Sequence, residues 1–129
     1  MNVLFIEDDP MNRRVVGDML DVAGATMTGA ESAELGLQLI EENDYAIVLI
    51  DLRMPGMDGI TAIQHIRARP DEKAALPIIV VTADTAVDLR ERCIDQGADE
   101  VLFKPVAMDA LFDAMGRMLA KAASGGMIG

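Results

Sequence analysis

Only four of the 129 residues are aromatic, three Phe and one Tyr with no Trp, so aliphatic side chains and ten methionines must fill the interior. The single cysteine, Cys93, excludes an internal disulfide, and its place in a helical pattern marks a buried structural thiol suited to a reducing compartment. The single histidine, His65, leaves no cluster of imidazole and thiolate ligands for zinc or copper. No apolar run approaches the roughly 20 residues of a membrane span, and the N-terminus lacks the basic start and small-residue cleavage site of a signal peptide. Basic residues are scarce: 11 Lys and Arg against 22 Asp and Glu give a formal charge of −11, which repels nucleic acid and anionic lipid, and no basic patch offsets it. These absences point to a soluble, cytoplasmic protein that engages neither nucleic acid nor membrane.

What is present suits one domain with no internal repeat. Continuous apolar runs at Val3 to Ile6, Ala46 to Ile50 and Ile78 to Val81, with a weaker one at Val101 to Phe103, alternate with helical patterns. Runs that do not alternate with polar residues belong to strands covered on both faces, which is how a parallel sheet flanked by helices reads. A short strand near Thr26 to Thr28 completes five. The first helix has Asp9 as N-cap and Pro10 at its first position, buries Val15, Val16, Met19 and Leu20, and stops at Gly24. Further helices are predicted over Ser32 to Glu42, Ile60 to Ala68 and Ala86 to Gln96. A fifth has Leu111, Phe112, Met115, Met118 and Leu119 on one side, followed by a flexible, glycine-rich tail over 122–129. The fourth has a thin apolar face of Val87, Cys93 and Ile94, so burial holds it weakly. The methionines read as core filler rather than a metal box, and His65, on the third helix, as a surface residue.

In such a sheet the functional crevice lies outside the carboxyl ends of the strands. Four ends carry polar groups: Glu7, Asp8 and Asp9 after the first, Asp51 after the third, Thr82 after the fourth and Lys104 after the fifth. One right-handed winding brings them to a common edge. Carboxylates gathered there repel one another, so the cluster calls for a proton or a cation, and Mg2+, a hard ion that takes carboxylate, water and phosphate oxygens, is the natural choice. A carboxylate held against such a metal can accept a phosphoryl group, whose added charge a lysine ammonium offsets while a threonine hydroxyl supplies a further donor. Asp9 reads instead as the N-cap of the first helix, and Asp58 and Gly59 as turn and helix start.

The stretches "IEDD", "LIDLRMPGMDG", "VVTAD" and "LFKP", occurring in this order at four strand ends, resemble the receiver domain of two-component response regulators across residues 2 to 121. That resemblance implies a flavodoxin-like, doubly wound five-stranded parallel sheet of order 2-1-3-4-5 with five helices. It implies Asp51 as phosphoacceptor, Thr82 as switch hydroxyl and Lys104 as phosphoryl counterion. Asp8, Asp51 and the main-chain carbonyl of Arg53 are then the Mg2+ ligands, with Glu7 acting through water, and the Lys104–Pro105 bond is cis. The donor is a histidine kinase or a histidine phosphotransfer protein, and the output is a protein contact at the face of the fourth helix, fifth strand and fifth helix, with Leu89, Val106 and Met108 as exposed candidates. The module modifies itself and is not an enzyme acting on outside substrates. "NRRVV" and "RERCIDQGAD" also resemble receivers of hybrid histidine kinases, so the alternative is a receiver excised from such a kinase and relaying phosphate onward.

The sequence departs from the family in two places. Val101 stands where an aromatic residue is usual, three before the lysine. Val106 and Ala107 offer no cap for the last helix. Arg53 lies two residues beyond the acceptor, where a phosphatase with an aspartate nucleophile needs its second aspartate. A flavin carrier of the same fold needs a hydroxyl- and glycine-rich phosphate loop where this chain has "EDDP".

Overall fold

The computed structural model describes residues 1–128, with side chains for 1–122. Strands β1 (Asn2–Ile6), β2 (Thr26–Ala30), β3 (Ile47–Asp51), β4 (Ile78–Thr82) and β5 (Glu100–Phe103) alternate with helices α1 (Pro10–Val22), α2 (Ala33–Glu42), α3 (Gly59–Arg67), α4 (Leu89–Asp95) and α5 (Met108–Ile128), and a short 3-10 turn, Glu72–Ala75, precedes β4. All strand pairs are parallel and the order is β2-β1-β3-β4-β5. This is the order implied by the resemblance, and all five strands and helices are present. The Lys104–Pro105 peptide bond is cis.

Side-chain alternation divides the interior into two layers. Leu4, Ile6, Val48, Ile50, Ile78 and Val80 face α2, α3 and α4, meeting Ile40, Ala62, Ile63, Ile66, Leu89 and Cys93. Val3, Phe5, Ile47, Leu49, Ile79 and Val81 face α1 and α5, meeting Val16, Leu20, Leu111, Ala114 and Met115. Every residue of β3 and β4 is buried, as their unbroken apolar runs require. Helix starts follow local chemistry: the side chains of Asp9, Ser32 and Asp58 accept from the backbone N–H of Met11, Leu35 and Thr61. Each such cap contributes about 1 kcal/mol. Gly24 and Gly97 close α1 and α4 at φ +76° and +117°, a left-handed conformation that costs a side chain dearly.

Three expectations are corrected. α4 begins at Leu89 rather than Ala86, because Asp84 Oδ1 accepts from Ala86 N–H and Leu89 N–H donates to the Ala86 carbonyl, so the preceding segment meets its backbone needs in turns. Leu89 is therefore buried against the core, whereas Val87 and Ile94, expected inside, are exposed. In α1, Val16 and Leu20 point at the sheet four residues apart, and Val15, one position around the helix, is exposed. α5 spans Met108–Ile128; Gly129 and the side chains of 123–129 lie outside the described residues.

Candidate functional site

Strand alternation explains what collects at the carboxyl edge. Asp51 continues the Ile47, Leu49 series toward the α1–α5 face, Glu7 continues Val3 and Phe5, and Lys104 follows Leu102 on the same side. Thr82 continues Ile78 and Val80 toward the α4 face. Glu7 and Asp51 are 1% and 6% exposed, a depth at which a carboxylate needs partners.

Lys104 Nζ supplies them from the end of β5. It lies 3.3 and 3.2 Å from the two Glu7 oxygens and 3.5 Å from Asp51 Oδ2. The last distance is an electrostatic contact, not a good hydrogen bond, so the lysine leans toward Glu7 and leaves Asp51 the freer carboxylate. Glu7 also accepts from Asn12 Nδ2 at 3.1 Å, and its main-chain carbonyl accepts from Arg13 Nη1 at 2.6 Å. Burial pushes the Glu7 carboxyl above its usual range, Asn12 opposes that shift, the charge of Asp51 adds to it, and Lys104 opposes it.

Glu7, Asp8 and Asp51 each offer a carboxylate oxygen, and these oxygens lie within 4.8 Å of one another. Asp8 is exposed, which gives the cluster an open side. Three carboxylates against one ammonium leave an excess of negative charge. An all-oxygen, partly open donor set of this kind fits a hard divalent cation that keeps several waters.

The mouth of the site is lined by two loops. Arg53, after β3, pairs with Asp84, after β4, at 3.0 Å. The Asp84 N–H also donates to Thr82 Oγ1 at 3.1 Å. The N–H of Ala86 and the Arg53 guanidinium together hold the Asp84 carboxyl below its usual range. Ala83 is exposed and adds no bulk beside the threonine. Behind Asp51, Gly59 lets the first turn of α3 press on the strand end: a Cβ there would lie 2.4 Å from the Asp51 carbonyl oxygen.

The structure thus gathers Glu7, Asp8, Asp51 and Lys104, with Thr82 and Arg53 at the rim. His65 is exposed on α3, and Cys93 is buried, its thiol pushed up by burial. Val101 is buried beneath α4. The partners of Asn12 and Asp84 were not foreseen. Both are polar residues whose role depends on what the fold sets beside them; for Asn12 the only trace in the sequence is its place in "NRRVV", one turn into α1.

A family profile described as the response regulator receiver domain matches residues 3–116. The sensor histidine kinase RcsC of Salmonella typhi is 37% identical over 111 residues, which is 86% of this chain and 11% of that protein. The chain therefore spans about a tenth of the length of this curated relative. Among solved structures, a response regulator receiver protein from Pseudomonas putida superposes with TM-score 0.81 at 32% identity, covering 90% of this chain and 95% of the other. The receiver domain of a sensor histidine kinase from Pseudomonas aeruginosa, with a magnesium ion coordinated in its active-site cleft, superposes with TM-score 0.84 at 30% identity, covering 92% and 97%. Motifs, topology and carboxyl-edge geometry agree with these matches, and the chain belongs to the response regulator receiver domains of two-component signalling.

Proposed function

We propose that residues 1–121 work as a phosphorylation switch in which Asp51 takes a phosphoryl group from a histidine kinase or a histidine phosphotransfer protein. An Asp51 oxygen bonds to phosphorus as the bond from phosphorus to the donor's imidazole nitrogen breaks, and the electron pair leaves with the imidazole. Asp8, Asp51 and the main-chain carbonyl of Arg53 would hold a magnesium ion, with Glu7 acting through water, and the ion would supply neutralisation of charge on the phosphoryl oxygens. Lys104 then turns from Glu7 toward the phosphoryl group, and the Thr82 hydroxyl donates to it. The resulting state presents a different surface on α4, β5 and α5, where Ile94, Phe103 and Met108 are exposed, with Val87 exposed in the segment before α4. The module modifies itself, turns over no outside substrate and works in the cytoplasm. Among the described residues no helix is long and apolar enough to cross a membrane.

The observation that carries this reading is one ammonium, Lys104 Nζ, within 3.5 Å of both a buried Glu7 and the strand-end Asp51, beside a third acid. Structural ion pairing accounts for one lysine and one acid, not for three acids around an open edge. The test is incubation with magnesium and acetyl phosphate, followed by intact mass. One phosphoryl adduct on the parent and none on Asp51→Asn supports the switch; no adduct on the parent, with acetyl phosphate or with kinases, refutes it.

A second reading, a receiver within a hybrid histidine kinase that relays phosphate onward, is favoured by the RcsC match and by a similar one, 32% identical over 107 residues, to the sensor protein GacS of Pseudomonas syringae. Transfer of the adduct from Asp51 to the histidine of a phosphotransfer protein faster than its hydrolysis would distinguish relay from terminal output.

A further inference from the structure

We infer that Asn12 is a positioning residue of the acidic site, fixing the Glu7 carboxylate so that Lys104 and a divalent cation can share it. The inference rests on the metal-dependent reading above and adds to it a residue on α1. Glu7 is 1% exposed, and its two oxygens have two protein partners, Asn12 and Lys104. When Lys104 turns toward a phosphoryl group on Asp51, Asn12 is the donor that stays. Without it a buried carboxylate would either hold the lysine back or swing out of line.

The first turn of α1 is built for this. Asn12 takes the Glu7 side chain, and the next residue, Arg13, takes the Glu7 main-chain carbonyl at 2.6 Å, so consecutive residues clamp one acid at two points. Gly29 makes room for the second arm: a Cβ there would lie 2.9 Å from Arg13 Cδ. The amide brings a donor without a charge. A lysine or arginine in its place would compete with the metal for the same carboxylates, whereas an uncharged donor sets the geometry and leaves the negative potential intact.

The test is calorimetric titration of the unphosphorylated full chain with Mg2+, together with acetyl phosphate labelling across Mg2+ concentrations, for the parent, Asn12→Ala and Asn12→Gln. Loss of a residue that orients a metal ligand typically weakens the metal about tenfold. Asn12→Ala should therefore raise the Mg2+ dissociation constant and the Mg2+ concentration for half-maximal labelling by about that factor, with the rate at saturating Mg2+ within about threefold of the parent. Asn12→Gln, which keeps the donor on a longer arm, should recover part of the loss. An Mg2+ affinity within twofold of the parent in Asn12→Ala, or a loss confined to the saturating rate, overturns the inference, as does a lowered thermal midpoint with unchanged metal affinity. A parent that takes up no Mg2+ instead overturns the metal-dependent reading on which this rests.

Discussion

Replacing Gly59 with alanine is expected to damage the strand end that carries Asp51, although alanine is ordinarily the better helix residue. The new Cβ would sit 2.4 Å from the Asp51 carbonyl oxygen and 2.8 Å from Leu52 Cα, both backbone atoms. Carbon and oxygen approach comfortably to a little over 3 Å, so α3 and β3 must separate by several tenths of an ångström, and no rotamer change can absorb it. Overpacking of this kind costs about 1–3 kcal/mol, and contact with backbone rather than a flexible side chain places Gly59 at the upper end. Helix propensity returns at most about 1 kcal/mol, leaving a net loss of about 2 kcal/mol in urea unfolding. The displaced carbonyl belongs to Asp51, the proposed acceptor, so the acetyl phosphate labelling rate should fall by about tenfold or more. Gly17→Ala is the control: in α1 its Cβ would meet the flexible end of Met27, Cε at 3.2 Å, and the variant should gain about 0.5 kcal/mol with normal labelling. A Gly59→Ala protein as stable as Gly17→Ala, labelling at the parent rate, would refute the steric argument.

Glu100 is buried at the start of β5 and opposed by that burial, but Arg90 of α4, the N–H of Val101 and Arg117 of α5 all bond to it, and together they hold its carboxyl below the usual range. Its contribution is therefore complete above the ordinary carboxylate pKa and lost as pH falls through the lowered one. Glu100→Gln should cost about 1–2 kcal/mol at pH 7, the arginines being half exposed, and the gap from the parent should close in urea titrations as the pH drops below the ordinary carboxylate range. Arg67 donates to the carbonyls of Gly97, Ala74 and Leu76 and to Asp99, and Arg67→Lys, with one ammonium for a planar fork, should lose about 2 kcal/mol by the same assay and leave Mg2+ affinity unchanged. Magnesium at about a hundred times its dissociation constant should stabilise the parent by about 2.7 kcal/mol, and Asp51→Asn by clearly less, read as the shift in thermal midpoint on adding and then chelating the ion.

The frame was legible because local pattern and tertiary need coincide there. Strands buried on both faces must be continuously apolar, as β1, β3 and β4 are, and the polar residues that interrupt them mark the carboxyl edge. The capping role of Asp9 depends only on neighbours a turn away. What escaped depends on distant partners. The start of α4 is set by Asp84, which caps a turn and pairs with Arg53, 31 positions earlier in the chain. Leu89 looked exposed because its apolar neighbours Val87 and Ile94 suggested a different buried stripe, and α3 decides which stripe is covered. Asn12 beside Glu7 and Arg67 among four carbonyl and carboxylate acceptors carry no periodic signal.

The pleat that sends Glu7 and Asp51 to one side of the sheet and Thr82 to the other has a consequence for how variants of this chain combine. α1 and α5 share one apolar stratum and α2, α3 and α4 the other, with a wall of backbone between them. Repacking at Leu20 in the first layer and at Ile66 in the second should then act as independent edits whose effects on stability sum. The layer under α1 and α5 and the layer under α2, α3 and α4 can thus be tuned separately, and only the residues along the sheet's rim answer to both.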